Sequence, residues 1–183
     1  MADRAVVALV EGEYRRYKSL GEGALDQLEP SELNAATGER NSVATLVWHI
    51  AGNLESRFTD FLTSDGEKPW RDRESEFEAR DASPSEMREK WERGWDVLFG
   101  ALSELADEDM TRIITIRGIE FRVDEALLRS LAHTSFHVGQ IVYIGKEVRG
   151  DSWSYLTIPP GGSAEYNAKP TMDKASTYGR QTG

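Results

Sequence analysis

The chain has no cysteine among its 183 residues, and this absence removes several kinds of site at once. It excludes a disulfide framework, cysteine-ligated zinc or iron–sulfur centres, and a cysteine nucleophile. The chain also lacks any apolar run near the ~20 residues that a membrane-spanning helix needs, and its N-terminus turns charged too soon for a signal peptide. We therefore expect a cytoplasmic protein with a single domain that buries its core without covalent support.

Basic residues are scarce relative to acidic ones. The chain has 22 Lys and Arg against 32 Asp and Glu, which gives a formal net charge of −10 at pH 7. A surface of this sign repels phosphate backbones and anionic lipids. The composition therefore argues against both nucleic acid and the membrane surface as partners.

Most of the sequence has the periodicity of α-helices. Apolar residues recur at spacings of three and four in four segments, and a short helical turn is expected between the first two. The predicted helices span 3–28, 42–64, 84–106 and 124–148, with the short turn at Ser31–Asn34. Capping residues mark the later starts: Asn41 or Ser42, then Ser83 before Pro84, then Asp124. This pattern predicts an all-α protein, a four-helix bundle.

Between the third and fourth helices the periodicity changes. Residues 111–123 alternate apolar and polar side chains on both sides of Arg117-Gly118, which predicts a small β-hairpin. Residues 65–83 are charged and aperiodic, and we interpret them as an exposed connection.

After the fourth helix, four apolar residues are expected to pack back onto the helices: Trp153, Tyr155, Leu156 and Ile158. We therefore place the domain at 1–168 and expect residues 169–183 to be a disordered tail.

Histidine is rare in this chain, and its positions predict a metal site. Only His49, His133 and His137 occur. The last two are four residues apart, so they lie one turn apart on one face of the fourth helix, and His49 lies on a polar flank of the second. Three imidazoles brought together in this way can bind one metal ion and leave a coordination position open. Four weaker candidates could orient ligands or substrate: Asn53, Ser130, Gln140 and Tyr143.

Spacing alone leaves a second interpretation open. Histidines four residues apart also arise by chance, as half-buried side chains bonded to their neighbours. The motif HTSFH has Thr134 where the metalloprotease motif has glutamate, so that function is excluded. No G-x-S-x-G elbow supports a Ser-His-Asp triad.

Three segments together resemble a known superfamily. They are LVWHIAGNLESRF at 46–58, LAHTSFHVGQIVYIGK at 131–146 and WSYLTIPPGGSAEYN at 153–167. These segments are similar to the DinB-like (YfiT-like) superfamily, and the last is similar to an uncharacterised sub-family. The resemblance implies an up-down-down-up four-helix bundle in which His49, His133 and His137 bind a divalent metal ion. The similarity extends over the whole chain except its C-terminal end.

The resemblance also implies an activity. Members of the superfamily include transferases and isomerases that use low-molecular-weight thiols such as bacillithiol or mycothiol, and many are dimers. We therefore expect a metal-dependent transferase of a small molecule, with zinc or nickel bound, or alternatively manganese or iron. A homodimer is expected from the apolar residues round the fourth helix: Leu128, Leu131, Val138 and Val142. A non-catalytic metal- or ligand-binding stress-response protein and a metal-dependent hydrolase both remain open.

Overall fold

Helices make up most of the chain in the computed structural model, which describes residues 3–35, 41–172 and 174. These residues form six α-helices, three short 3-10 segments and one two-stranded antiparallel hairpin. The elements are α1 (Ala5–Leu25), α2 (Pro30–Asn34), α3 (Val43–Phe58), α4 (Pro84–Ser103), β1 (Ile113–Ile116), β2 (Ile119–Arg122), α5 (Val123–Arg149) and α6 (Ser163–Ala168). The prediction of a mostly helical chain with a small hairpin before its longest helix is confirmed.

Side-chain caps fix where two of the long helices begin. The hydroxyl of Ser42 accepts a hydrogen bond from the backbone N–H of Thr45 at 3.1 Å, and α3 starts directly after it. Ser83 caps α4 in the same way, and the carboxylate of Glu86 accepts the Ser83 N–H at 2.9 Å, with Pro84 at the first helical position. Both starts use the capping chemistry that the sequence indicated.

Two predicted helix ends differ from the structure. α3 ends at Phe58, well before the predicted end, because the backbone of Thr59 is extended, and Asp60 after it is left-handed with φ of 48°. α5 begins one residue earlier than predicted, and its N-cap residue is Arg122 rather than Asp124, which lies in the first turn. The carboxylate of Glu125 accepts the Arg122 N–H at 2.9 Å and so completes the cap.

The core is built from two helix pairs, α3 with α4 and α1 with α5. A Cβ on Gly94 of α4 would lie 2.7 Å from Ala51 Cα, so the missing side chain lets α3 and α4 approach closely. Trp95 of α4 is fully buried beside this approach. Tyr14 of α1 is buried too, and its hydroxyl donates to the carbonyl of Leu127 on α5 at 3.1 Å. α3 and α5, which carry the histidines, also contact each other.

The segment 65–83 is only in part the exposed connection that its charges predicted, since Asp72, Arg73 and Glu74 are exposed but other charged residues are buried. Lys68 and Glu76 are only 7% and 5% exposed, and a 3-10 turn spans Glu74–Phe77. The prediction was wrong for Lys68 and Glu76, because Lys68 donates to the backbone of Asp65 and Glu76 pairs with Arg71. Pairing between charged groups leaves no periodic pattern of apolar residues in the sequence.

The hairpin turns at Arg117-Gly118, as predicted, and pairs Ile116 with Ile119 across the turn. Both turn residues have positive φ, 58° and 71°, which is the left-handed conformation that a tight hairpin turn of this type requires. The carboxylate of Asp65 accepts the backbone N–H of each turn residue at 2.8 Å. The loop after α3 therefore holds the hairpin in place.

The chain after α5 packs back only in part. Trp153 is buried, and its ring lies against Gly145 of α5, where a Cβ would come within 3.0 Å of the ring. Leu156 is partly buried, whereas Tyr155 and Ile158 are exposed. Three of the four predicted contacts are nevertheless present, since Lys146 Nζ of α5 lies 5.0 Å from the centroid of the Tyr155 ring.

The C-terminal end contains α6, a short helix that the sequence did not predict. Most of the predicted disordered tail, residues 169–183, lies outside the described residues. Within the described ranges, no helix combines the length and the apolar character that crossing a bilayer demands.

Candidate metal centre

Three imidazole rings meet between α3 and α5. His49 comes from α3, and His133 and His137 lie one turn apart on α5. One ring nitrogen from each residue lies within 4.8 Å of those of the other two, and His49 Nε2 is 3.2 Å from His133 Nε2. The structure thus brings together all three histidines that the sequence singled out.

Burial keeps the imidazoles of His133 and His137 neutral. His49 is 3% exposed, and His133 and His137 are half-buried. Burial, followed by the neighbouring histidines, lowers the pKa of His133 to about 3, and burial also lowers the pKa of His137. Because metal ions bind the neutral imidazole, the rings of His133 and His137 are in the form that a ligand needs.

Acceptors outside the cluster hold the Nδ1 atom of two of the rings. Glu76 Oε2 lies 2.8 Å from His49 Nδ1, and Gln140 Oε1 lies 2.7 Å from His137 Nδ1. A carboxylate and an amide oxygen only accept hydrogen bonds, so each ring donates its Nδ1–H. Nε2 of both rings then carries a lone pair, as in histidines that bind metal ions.

Glu76 is itself held in place. Nε and Nη2 of Arg71 donate to its two oxygens at 2.7 and 2.9 Å, and the two side chains are only 2% and 7% exposed. Burial opposes ionisation of Glu76, but the hydrogen bonds from His49 and Arg71 outweigh burial and lower its pKa. Gly52 makes room for the carboxylate, since a Cβ there would lie 2.9 Å from Glu76 Cδ. A bonded series therefore runs from Arg71 through Glu76 to His49.

The donor set fits a divalent metal ion. Imidazole nitrogens are common ligands of zinc, nickel, copper and iron(II). His133 Nδ1 is buried and has no hydrogen-bond partner among the described residues. When that atom carries the ring proton, all three Nε2 atoms present lone pairs to one another, and a cation between them removes the repulsion. The three histidines could therefore hold a metal ion.

A cavity of about 550 Å³ opens beside the histidines, a volume that suits a small molecule. Asn53, Ser130 and Gln140 line it, and these are three of the four polar residues that the sequence proposed as orienting groups. The fourth, Tyr143, is 67% exposed and does not line this cavity. Phe77 lies in the wall with its ring centroid 4.7 Å from that of His49.

The residues that sequence reasoning missed lie in or against the segment between α3 and α4. Arg71, Glu76 and Phe77 stand in a run of charges without helical or strand period, so no pattern marked them. Phe77 gave a weak signal, since it and Trp70 are the two large apolar side chains of this charged stretch. Gly52 gave no signal, because the reason for a glycine there is the carboxylate of a residue far along the chain.

These features define a class: a mostly helical protein in which two helices bring three histidines together beside a cavity. A family model described as "Protein of unknown function (DUF1572)" matches residues 3–162, and the chain belongs to that family. The matched region includes both histidine-bearing helices. Neither the curated proteins nor the solved structures contain a significant match to the chain.

Proposed function

We propose that this protein is a metal-dependent enzyme, a transferase that acts on a small molecule with a low-molecular-weight thiol as co-substrate. His49, His133 and His137 would hold the divalent ion. The observation that carries the proposal is the pair of outer acceptors, Glu76 and Gln140, which leave a lone pair on Nε2 of two histidines. Histidines that only filled the space between two helices would not need both acceptors.

A bound ion would supply Lewis-acid chemistry, which lowers the pKa of a thiol or water at its open position. Glu76 and Gln140 fix the orientation of the rings, and Asn53 offers an amide to orient the substrate. Phe77 and Phe136 lie against His49 and His137 and keep water from their faces.

The cavity favours a thiol over hydrolysis. Among the described residues, no acidic side chain lines it, so a hydrolase would lack a general base. A thiol needs no protein base once its own pKa has been lowered. The choice of a thiol itself rests on the resemblance to the DinB-like superfamily.

The proposal includes an up-down-down-up four-helix bundle of the DinB-like type, formed by α1, α3, α4 and α5. Three observations support it: α3 packs along α4, α1 packs along α5, and α3 meets α5. Both histidine-bearing segments that resemble the superfamily lie within the family match.

Zinc or nickel is the proposed ion, with manganese or iron as alternatives. The three candidate ligands are all imidazoles, and no carboxylate from the described part of the chain joins them in the cluster. Nitrogen ligands suit zinc and nickel, whereas manganese prefers oxygen.

Metal content tests the site directly. Protein purified without an affinity tag is analysed by elemental mass spectrometry beside His133→Ala and beside Tyr143→Ala, an exposed residue on the same helix. We expect about one equivalent of a divalent ion in the wild type and in Tyr143→Ala, and none in His133→Ala. An absence of metal in the wild type, even after incubation with candidate ions, would contradict the proposal.

A non-catalytic metal- or ligand-binding protein of the stress-response kind is the second candidate. One observation favours it. The titratable side chains that line the described cavity are histidines and arginines, so apart from the candidate metal ligands the cavity offers no general acid or base. An assay of thiol transfer separates the enzyme from the binding protein. Metal-loaded protein is mixed with the electrophile 1-chloro-2,4-dinitrobenzene and with cysteine, glutathione or coenzyme A, and consumption of the thiol is measured. Metal-loaded protein with no turnover for any of these thiols would favour the binding protein.

We also propose a homodimer that associates through α5. Val138 does not support it, since it is 1% exposed and belongs to the core. The three most exposed large apolar side chains on α5 are Leu128, Phe136 and Tyr143, at 60%, 63% and 67%. At 100° per residue they fall within an arc of about 80°, which is one face of the helix.

A further inference from the structure

The wall of the histidine cavity has a charge opposite to that of the protein. The chain carries a formal net charge of −10. The cavity is nevertheless lined by five arginines and, within the described chain, by no aspartate or glutamate: Arg57, Arg71, Arg73, Arg117 and Arg129. A concave wall of one sign concentrates its field in the cavity, so its charge can prevail locally over the net charge.

Nearby carboxylates neutralise this wall only in part, since Glu76 pairs with Arg71 and Glu74 pairs with Arg73. Arg57 and Arg117 share one carboxylate, that of Glu67, at 3.1 and 2.8 Å. Arg129 forms no ion pair with any described residue and lies over the ring of Phe121, 5.8 Å from its centroid. At least two positive charges on this wall therefore lack a carboxylate of their own.

Arg71 provides a second and independent observation. Its side chain is 2% exposed, and its Nε and Nη2 atoms donate to Glu76. Its third nitrogen, Nη1, is buried and has no hydrogen-bond partner among the described residues. An unpaired buried donor on a charged group is costly, and the arginine lines the cavity. An acceptor that enters the cavity would satisfy it.

We propose that the cavity binds a small oxyanion, a carboxylate or phosphate group of the substrate, through Arg71, Arg117 and Arg129. Planar guanidinium groups pair with both kinds of oxyanion, often through two hydrogen bonds at once. The anionic group would lie beside the three histidines, which line the same cavity. This inference deepens the proposed function and rests on it, since it names the class of substrate for that same cavity.

Calorimetric titration of succinate, inorganic phosphate and the neutral analogue succinamide tests the inference. Each probe is titrated at low ionic strength and pH 8, where histidine is neutral and arginine is the cation under test. Both metal-free and zinc-loaded protein are used, so that binding to the wall is separated from binding to the ion. We expect at least one of the two anions to bind both forms and succinamide to bind neither. The anion that binds more tightly identifies which group the substrate carries.

Two variants and a matched control assign the binding to the arginines. Arg129→Gln and Arg117→Gln each remove one exposed guanidinium, and each should weaken anion binding about tenfold or more. Arg93→Gln removes an exposed arginine of α4 that does not line the cavity, and it should leave the affinity unchanged. Arg71 is left intact, because its loss would deprive the buried Glu76 of its ion pair.

Each outcome can be assigned. Zinc bound without binding of either anion, or anion affinities equal in the wild type and both cavity variants, would overturn the inference while leaving the metal site standing. Arginine-dependent anion binding by a protein that takes up no metal would support the inference and contradict the proposed enzyme.

Discussion

At the scale of single residues, the buried carboxylate of Glu76 joins two functions. It accepts the Nδ1–H of His49 at 2.8 Å and is paired with Arg71 through both oxygens. A carboxylate behind a histidine fixes the ring and raises the basicity of its other nitrogen. The ion pair with Arg71 keeps that carboxylate charged in spite of its burial.

Replacing Glu76 with glutamine should weaken metal binding about 10- to 100-fold, because the His49 ring loses its charged acceptor. The variant should also lose about 3 kcal/mol of stability, since Arg71 is left as an uncompensated buried charge. Competition with a chelating indicator measures the first effect, and urea unfolding measures the second. Glu67→Gln is the matched control, because Glu67 pairs with Arg57 but contacts no histidine. It should lower stability less and leave metal affinity unchanged, and an unchanged metal affinity in Glu76→Gln would contradict the role given to Glu76.

A substitution at Gly52 tests the role of the Glu76 carboxylate by displacing it rather than removing it. Gly52→Ala should weaken metal binding and destabilise the fold by about 1–3 kcal/mol, because the added Cβ meets the Glu76 carboxylate group. Gly100→Ala in α4 is the control, since nothing lies within 4 Å of a Cβ there. That change should leave metal binding alone and stabilise the helix by up to about 1 kcal/mol. Urea unfolding and metal titration of both variants give the comparison, and equal behaviour of the two would refute the steric argument.

At the scale of the elements, the loop after α3 and the hairpin depend on each other. Asp65 accepts the N–H groups of Glu67, Arg117 and Gly118 at 2.7 to 2.8 Å. Gly66 donates its own N–H to the carbonyl of Thr115 at 2.8 Å. A two-stranded hairpin alone is marginally stable, so these bonds help to keep β1 and β2 in place.

The contribution of Asp65 to the stability of the fold should decrease at low pH. Hydrogen bonds from the backbone of Glu67 and Gly118 lower the pKa of Asp65 far below its usual range. A carboxyl whose pKa is lower in the folded state stabilises above its unfolded pKa, about 3.9, and loses that contribution as pH falls toward the folded value. Asp65→Ala should therefore be less stable than the wild type by about 1 kcal/mol at pH 6, a value reduced for solvent screening. That difference should shrink below about pH 4.

Urea unfolding at pH 6 and at pH 3 checks this pH dependence. Asp96→Ala removes an exposed carboxylate of α4, and its stability should not fall below that of the wild type at either pH. A difference between Asp65→Ala and the wild type that is the same at both pH values would show that the charge of Asp65 is not what holds the hairpin.

Local signals in the sequence predicted the elements, and they did so through particular residues. Ser42 and Ser83 marked helix starts because a cap acts within three residues of itself. Arg117-Gly118 marked the hairpin because the turn needs positive φ at adjacent positions. His133 and His137 marked one helix face because four residues are close to one turn.

Interactions between distant residues were not predictable in this way. Glu76 reaches His49 across 27 residues, and Asp65 reaches Arg117 across 52. Neither pairing leaves a period or a spacing in the sequence, because it depends on how whole elements pack. The candidate ligands could thus be named from the sequence, whereas the residues that orient them required the fold.

At the scale of the whole molecule, the exposed face of α5 predicts the state of association. Light scattering should give a mass near twice the 20.5 kDa of the chain, because burying Leu128 and Tyr143 removes apolar area from water. Tyr143→Glu should shift the mass toward the monomer. Leu9→Glu on α1 changes a side chain of equal exposure, 67%, and should leave the dimer intact. A monomeric mass for the wild type at micromolar concentration would contradict the dimer.

The fold should survive removal of the metal, because its core does not depend on the histidines. The buried tryptophans of α4 and the buried leucines of α3 pack without them, as with Trp91, Trp95 and Leu46. Chelation should therefore leave the far-ultraviolet circular dichroism unchanged. Metal at about 100 times its dissociation constant should stabilise the wild type by about 2.7 kcal/mol and raise its melting temperature, since it binds only the folded state. His133→Ala should show no such rise. If chelation instead reduced the circular dichroism signal of the wild type, the three histidines would form a structural site on which the packing of α3 against α5 depends.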